Sequence, residues 1–254
     1  MESILGVLTD LAPFIAIGFA AQLVDGALGM AFGVISNTML VGMLGLPPAQ
    51  ASQRVHVVEC FTTAISALSH LASGNIDRAL FLRLLVPGMI GGIAGATLLS
   101  SVDAAAAKPF VLAYLALIGV YLLLRGLFYP PTIKVARHVA PLGLIGGFLD
   151  SAGGGGWGPV VTSNLLLQGA EPRKVVGTVC SVEFFLTLTI SATFIVNLGI
   201  ADLVGATLGL LIGGAAAAPL GAVAAKYLEP RRMLILVGIA LSGTSAYGIF
   251  AALT

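Results

Sequence analysis

Glu59 and Glu183 are the residues whose chemistry is hardest to explain as packing, because each lies inside an otherwise apolar helical stretch. A carboxylate held in hydrocarbon is costly, and where one persists it marks a pathway, a proton relay or an ion-coupling site. Around the first, His56, Glu59, Thr63, Ser66 and His70 recur at steps of three or four, which puts all five on one face of a helix. Around the second, Cys180, Glu183 and Thr187 repeat the pattern, with Ser191 further along. Such a stripe can pass protons or solvate a polar cargo. The structural alternative is that each glutamate, protonated, makes one hydrogen bond to a neighbouring helix, and that His56 does the same. Arg54 and His70 lie near segment ends, where long or polar side chains snorkel to the interface.

A second constellation is built from backbone. Asp25-Gly-Ala-Leu-Gly and Asp150-Ser-Ala-Gly-Gly-Gly-Gly interrupt two apolar segments, so that Gly26, Gly29, Gly153, Gly154, Gly155 and Gly156 mark two breaks. Unwound backbone at membrane depth survives only where protein, water or ligand satisfies it. Glycine permits that backbone and lets a ligand approach closely. The helix that restarts after each break presents free N–H groups and a positive dipole end, which suit an oxyanion. Asn37 and Asn164 stand about one turn into those restarted helices, where an amide can donate to an anion or cap the break. Trp157, at the second break, reads as an interface anchor or packing residue, or else as a pocket wall. Asp25 and Asp150 each cap the following turn, or, in a competing enzymatic reading, form an intramembrane aspartyl dyad sharing a proton. The other reading of the glycines is close helix packing, the role expected of Gly88, Gly91, Gly92 and Gly95 and of Gly205, Gly209 and Gly213.

The elements that must position these groups follow from composition. Hydrophobic residues make up 58% of the 254, and charged residues only 9%, a mix no soluble domain uses to wet its surface. Uncharged stretches at 84–102, 151–170, 184–201, 203–225 and 233–254 reach or approach the roughly 20 residues that span a hydrocarbon core. An all-α membrane protein of about ten segments is expected, at 10–24, 30–46, 50–72, 79–100, 104–125, 139–150, 158–169, 172–197, 202–224 and 230–252. The chain also repeats itself. Gly26/Gly153, Gly29/Gly156, Ser36/Ser163 and Asn37/Asn164 match in one register, and Pro48/Pro172, Val55/Val179, Glu59/Glu183 and Thr63/Thr187 in a second. Two repeats result, 1–128 and 129–254. Five segments each is an odd number, so the second copy enters from the opposite side and the repeats are inverted, with short, broken first segments. Lys and Arg test that count. Arg78, Arg83, Arg125, Lys134, Arg137, Arg173, Lys174, Lys226, Arg231 and Arg232 fall on one side and only Arg54 and Lys108 on the other, so the first side is cytoplasmic and both termini face away from it.

Several classes lose support. No basic cluster suggests nucleic acid, the N-terminus lacks a cationic signal start, and no G-x-S-x-G or H-E-x-x-H motif is present. Cys60 and Cys180 read as two thiols within apolar segments rather than a bridge. No metal or cofactor is expected. The paired glycine breaks, the Pro48 and Pro172 loops and the length together resemble the TauE/SafE family, the sulfite exporters and their relatives, over nearly the whole chain. That resemblance implies export or uptake of a small sulfur-containing anion, such as sulfite or sulfoacetate, across a bacterial-type inner membrane. The expected partners are that anion, the bilayer and a second copy of the chain. The expected mechanism is alternating access with proton coupling, with an anion channel as the alternative. The substrate residues would be the six break glycines with Asn37, Trp157 and Asn164. The coupling residues would be Asp25, Arg54, His56, Glu59, Thr63, Asp150, Cys180, Glu183 and Thr187.

Overall fold

A computed structural model describes residues 2–28, 30–128, 138–168, 172–201, 203–227 and 230–253. Among them the chain is helical, with no strand. The elements are α1 (Glu2–Leu28), α2 (Phe32–Gly42), α3 (Pro48–Ala72), α4 (Arg78–Ser101), α5 (Ala104–Phe128), α6 (Val139–Gly153), a π-helical turn (Trp157–Thr162) that runs into α7 (Ser163–Leu167), α8 (Pro172–Leu198), α9 (Leu203–Tyr227) and α10 (Pro230–Leu253). Proline opens α3, α8 and α10, where its missing N–H costs nothing. Asp77 caps α4, its Oδ1 accepting from the N–H groups of Ala79 and Leu80 at 2.9 and 3.1 Å. Among the described residues four helices, α3, α4, α5 and α8, combine the length and apolarity needed to cross a bilayer. Large apolar side chains such as Ile65, Leu68, Phe110 and Val196 point outward, which in lipid is the favourable arrangement.

The expected segments are present, with two differences. The first segment is not short: α1 runs 27 residues and stays helical through Asp25 and Gly26. The break falls later, ending at Ala31 in a left-handed conformation. The uncharged stretch 151–170 is not one helix. It is the end of α6, a turn through Gly154 and Gly155, the wide π-turn and the short α7. Gly29, Lys134 and Arg137 lie outside the described residues.

At the centre, α3 and α8 run antiparallel. Gln53, near the start of α3, donates to the Gly199 carbonyl beyond the end of α8, at 2.8 Å. At the other end Lys174, near the start of α8, donates to the Gly74 carbonyl at 2.8 Å, and the Asp77 N–H donates to Thr178 Oγ1. Around this pair α1 packs along α9, α6 along α4, and α5 along α10. The first two contacts are the same pair of elements with the two halves of the chain exchanged. In both, glycine brings backbones together: a Cβ built at Gly91 would sit 2.0 Å from the Leu144 carbonyl oxygen, and one at Gly213 would sit 2.0 Å from that of Ile15. Gly205, for which the same packing role is expected, has nothing within 4 Å among the described residues.

This difference is measurable. Gly91→Leu must push α4 away from α6 and should destabilise the detergent-solubilised protein by about 1–3 kcal/mol. Gly205→Ala should be neutral or stabilising by about 0.4–1 kcal/mol, through lower backbone entropy in the unfolded chain. Thermal unfolding of the two variants beside the parent checks the pair, and equal loss in both would contradict the packing described.

Candidate functional site

The two breaks meet face to face. A Cβ on Gly155 would lie 2.5 Å from the Val34 N, and one on Gly158 would lie 2.8 Å from Met30 Cβ. Gly154 and Gly155 have φ of 80° and 126°, conformations that other residues adopt only with strain. All four glycines of the run are also crowded, Gly153 and Gly156 by the ring and hydroxyl of Tyr114 and Gly154 by the side chain of Asn37. The run therefore packs as tightly as it bends.

The polar groups freed by the breaks are satisfied from inside the protein. Asp150 Oδ1 accepts from the N–H groups of Gly156 and Trp157 at 2.8 and 3.0 Å. Tyr114 donates its hydroxyl to the Gly155 carbonyl at 3.0 Å. At the first break Asp25 Oδ1 accepts from the Phe32 N–H at 3.2 Å. Each aspartate thus caps the residue seven positions on. The repeat register makes the two aspartates inequivalent, yet they make the same bond. The π-turn absorbs the difference, since its wide turns place two more residues between the helix start and Asn164 than lie between Phe32 and Asn37. The first N–H donors at both restarted helices are already used by carboxylates, so they are not free for an oxyanion in this conformation.

Beneath the breaks lies a cavity of about 250 Å³. Asp25, Gly26, Glu59, Thr63, Asp150, Gly155, Gly156, Cys180 and Glu183, all anticipated from the sequence, line it, together with Ser66 and His70 of the polar stripe. Glu59 is 7% exposed and its Oε1 lies against the first turn of α2, 3.1 Å from where a Gly33 Cβ would be. No hydrogen-bond donor reaches the Glu59 or Glu183 carboxyl among the described residues, so the single structural bond expected for each is not made there. Gln22 was missed by the sequence reading. It lines the cavity, and its buried Oε1 has no hydrogen-bond partner among the described residues. The signal was available: it lies three residues before Asp25, on the same face of an apolar helix.

The cavity is one-ended. On α3 its lining runs from Glu59 to His70, eleven residues or about 16 Å of helix. On α8 it runs through Val176, Cys180 and Glu183. No lining residue precedes Glu59 on α3 or follows Glu183 on α8. Beyond the glutamates the same two faces are packed: Ser52 and His56 on α3, and Thr187, Ile190 and Phe194 on α8, have essentially no exposure, and the His56 and Phe194 rings are 6.2 Å apart.

Other anticipated residues lie outside this space. Trp157 is fully buried, its Nε1 donating to the Val179 carbonyl at 3.2 Å and its ring against Gly88. It is a packing residue, neither pocket wall nor interface anchor, because small residues on α4 and α6 leave room for the indole. Asn37 and Asn164 each donate Nδ2 to the carbonyl four residues back, Gly33 and Val160, at 3.1 Å, and neither lines the cavity. Arg54 is buried, donating to the Gln50 carbonyl at 2.9 Å, so it neither snorkels nor reaches the cavity. Thr187 donates to the Phe184 carbonyl on its own helix. Cys60 and Cys180 are both free thiols, as expected. His56 touches the site through Asp150: its Nε2 lies 3.2 Å from Oδ2.

Comparison with known proteins agrees with this architecture. The family model described as sulfite exporter TauE/SafE matches residues 14–248. The chain is 43% identical over 235 residues to the probable membrane transporter protein YtnM of Bacillus subtilis (strain 168), an overlap covering 89% of this chain and 78% of that protein. No solved structure matches. A match of that extent, on a helical chain broken twice around an internal cavity, establishes that the protein belongs to the sulfite exporter TauE/SafE family of membrane transporters.

Proposed function

We propose that the protein is a secondary transporter that moves a small sulfur-containing anion, sulfite or an organosulfonate, by alternating access coupled to protons. The single observation that carries this reading is the one-ended cavity set between the two breaks. A channel needs a continuous path, and here everything beyond the glutamates is packed. At about 250 Å³ the space holds on the order of eight waters, or a small oxyanion with part of its hydration shell.

Proton coupling is supported by the lining itself. Four carboxyls, those of Asp25, Glu59, Asp150 and Glu183, face the cavity, and no Lys or Arg does among the described residues. A bare anion entering beside ionised carboxylates in a low-dielectric space is strongly repelled. It is accommodated when protons accompany it. The inverted repeats, 1–128 and 129–254, supply the exchange of states: the half of α8 before Glu183 lines the cavity while the matching half of α3 before Glu59 is packed, and rocking the halves would reverse the two. In this proposal the cavity's mouth, near His70, faces the cytoplasm and both termini face outward, a reading supported by the distribution of Lys and Arg.

The acidic lining favours one second reading, a zwitterionic aminosulfonate such as taurine, whose ammonium would meet the carboxyls. The aspartyl protease reading loses its basis, because the Asp150 oxygens are engaged by two backbone N–H groups and by His56.

Three measurements test these proposals. In proteoliposomes, Glu59→Gln and Glu183→Gln should each abolish the pH-gradient-driven part of anion flux, and unchanged flux in both would exclude coupling through these residues. In a thermal-shift screen of sulfite, sulfate, thiosulfate, sulfoacetate and taurine, a true substrate at a hundred times its Kd should stabilise the protein by about 2.7 kcal/mol. Protection by taurine alone would select the zwitterion. Single cysteines introduced at the two termini should react with an impermeant reagent from outside intact cells, and reaction only after lysis would invert the assigned orientation.

A further inference from the structure

The packed end of the α3/α8 pair is held by a chain of bonds whose protons can be counted. Ser52 Oγ donates to the Ser151 carbonyl at 3.0 Å, tying α3 to α6. His56 Nδ1 lies 2.7 Å from the Ser52 carbonyl oxygen and 3.2 Å from Ser52 Oγ. A carbonyl only accepts, and the Ser52 hydroxyl hydrogen is already directed at Ser151, so Nδ1 must carry a hydrogen. The other ring nitrogen, Nε2, faces Asp150 Oδ2 at 3.2 Å. With Nδ1 protonated, that contact needs one further proton, on Nε2 or on Oδ2. Without it a nitrogen lone pair would face a carboxylate oxygen where both side chains are all but sealed from solvent, and such an unsatisfied buried contact does not hold.

We infer that His56 and Asp150 together form a proton-binding site, and that the single proton they share keeps the far end of the cavity closed. This rests on the transport reading above and adds to it a proton position distinct from the two glutamates, the one that sets which end is closed. Geometry supplies the link to conformation: Asp150 also caps the π-turn through Gly156 and Trp157, and the His56 ring abuts Phe194 on α8. Loss of the proton would therefore separate α3 from both the second break and α8. In the repeat register the residue matching His56 is Cys180, and the one matching Phe194 is His70, and both line the open half of the cavity. The aspartate with the same capping role there, Asp25, thus faces a thiol position instead of an imidazole, and that end is open. The other titratable groups around the site are Asp25 from α1, Glu59 from α3, Tyr114 from α5, and Cys180 and Glu183 from α8. None of them makes a hydrogen bond to His56 or Asp150 among the described residues, and the Tyr114 hydroxyl is directed at Gly155.

The test uses Cys180 as a reporter of the open half, in a Cys60→Ser background, by timing its alkylation with a maleimide. Asp150→Asn retains the two accepted N–H bonds on Oδ1 and offers a non-titrating amide hydrogen to Nε2, so it should stay closed at the far end at every pH. His56→Ala removes the bond altogether. Relative to Asp150→Asn, which corrects for thiol ionisation, the parent should label at a ratio near one at the acid end of a pH series and lower by about threefold or more at its alkaline end, as loss of the shared proton shifts the population away from the open half. His56→Ala should show the low ratio at both. A ratio that does not change with pH in the parent, or a His56→Ala protein that labels like Asp150→Asn, overturns the proton site. Because labelling needs no substrate, the two readings fail separately: pH-dependent labelling without flux of any sulfur anion would sink the transport reading alone, and flux with pH-independent labelling would sink the proton site alone.

Discussion

The rest of this structure depends on one constraint: backbone exposed where a helix breaks inside a membrane protein must be satisfied by the protein itself, because lipid offers no partner. Asp150, Tyr114 and Asp25 meet that need at the two breaks. Their bonds fix where α2 and the π-turn restart, how closely Gly155 approaches Val34, and hence where a cavity can remain. The same constraint explains why polar side chains are concentrated in this layer while the outward faces of the helices are apolar.

Satisfying the breaks with carboxylates has an electrostatic consequence. Two aspartates placed for capping stand beside two glutamates on the central helices, in a space with no Lys or Arg on its walls among the described residues. Acidic groups are therefore concentrated on the walls of one internal space, where like charges repel one another. His56 is the one imidazole bonded directly to this group of carboxyls among the described residues. The packed end therefore differs from the open end in chemistry as well as in shape.

The central pair gives the asymmetry its form. α3 and α8 cross antiparallel and carry the same Glu at matching places, but only one half of each lines the cavity. Phe194 and Ile190 fill on α8 the positions that His70 and Ser66 keep polar on α3. Unlike side chains at these matching positions fill one half of the pair and leave the other half lined by polar groups.

Much of this was legible in the residues alone. The helices that begin at Pro48, Pro172 and Pro230 were anticipated at 50–72, 172–197 and 230–252 from hydropathy, a local property. The polar stripe from Glu59 to His70 followed from helical spacing, which is why most of the cavity's charged lining was anticipated. Tertiary structure decided what spacing cannot: that Trp157 fills room left by Gly88 and is not a pocket wall, that Asn37 and Asn164 bond their own helices, and that the glycine run packs against Tyr114 and Asn37. It also decided that Asp25 and Asp150 are equivalent caps, because a π-turn two residues longer lies hidden between matching sequence registers. Sequence determines what a residue can bond to within its own helix. Which partner it takes across the membrane depends on how closely the helices approach, and that distance is set only when all of them pack together.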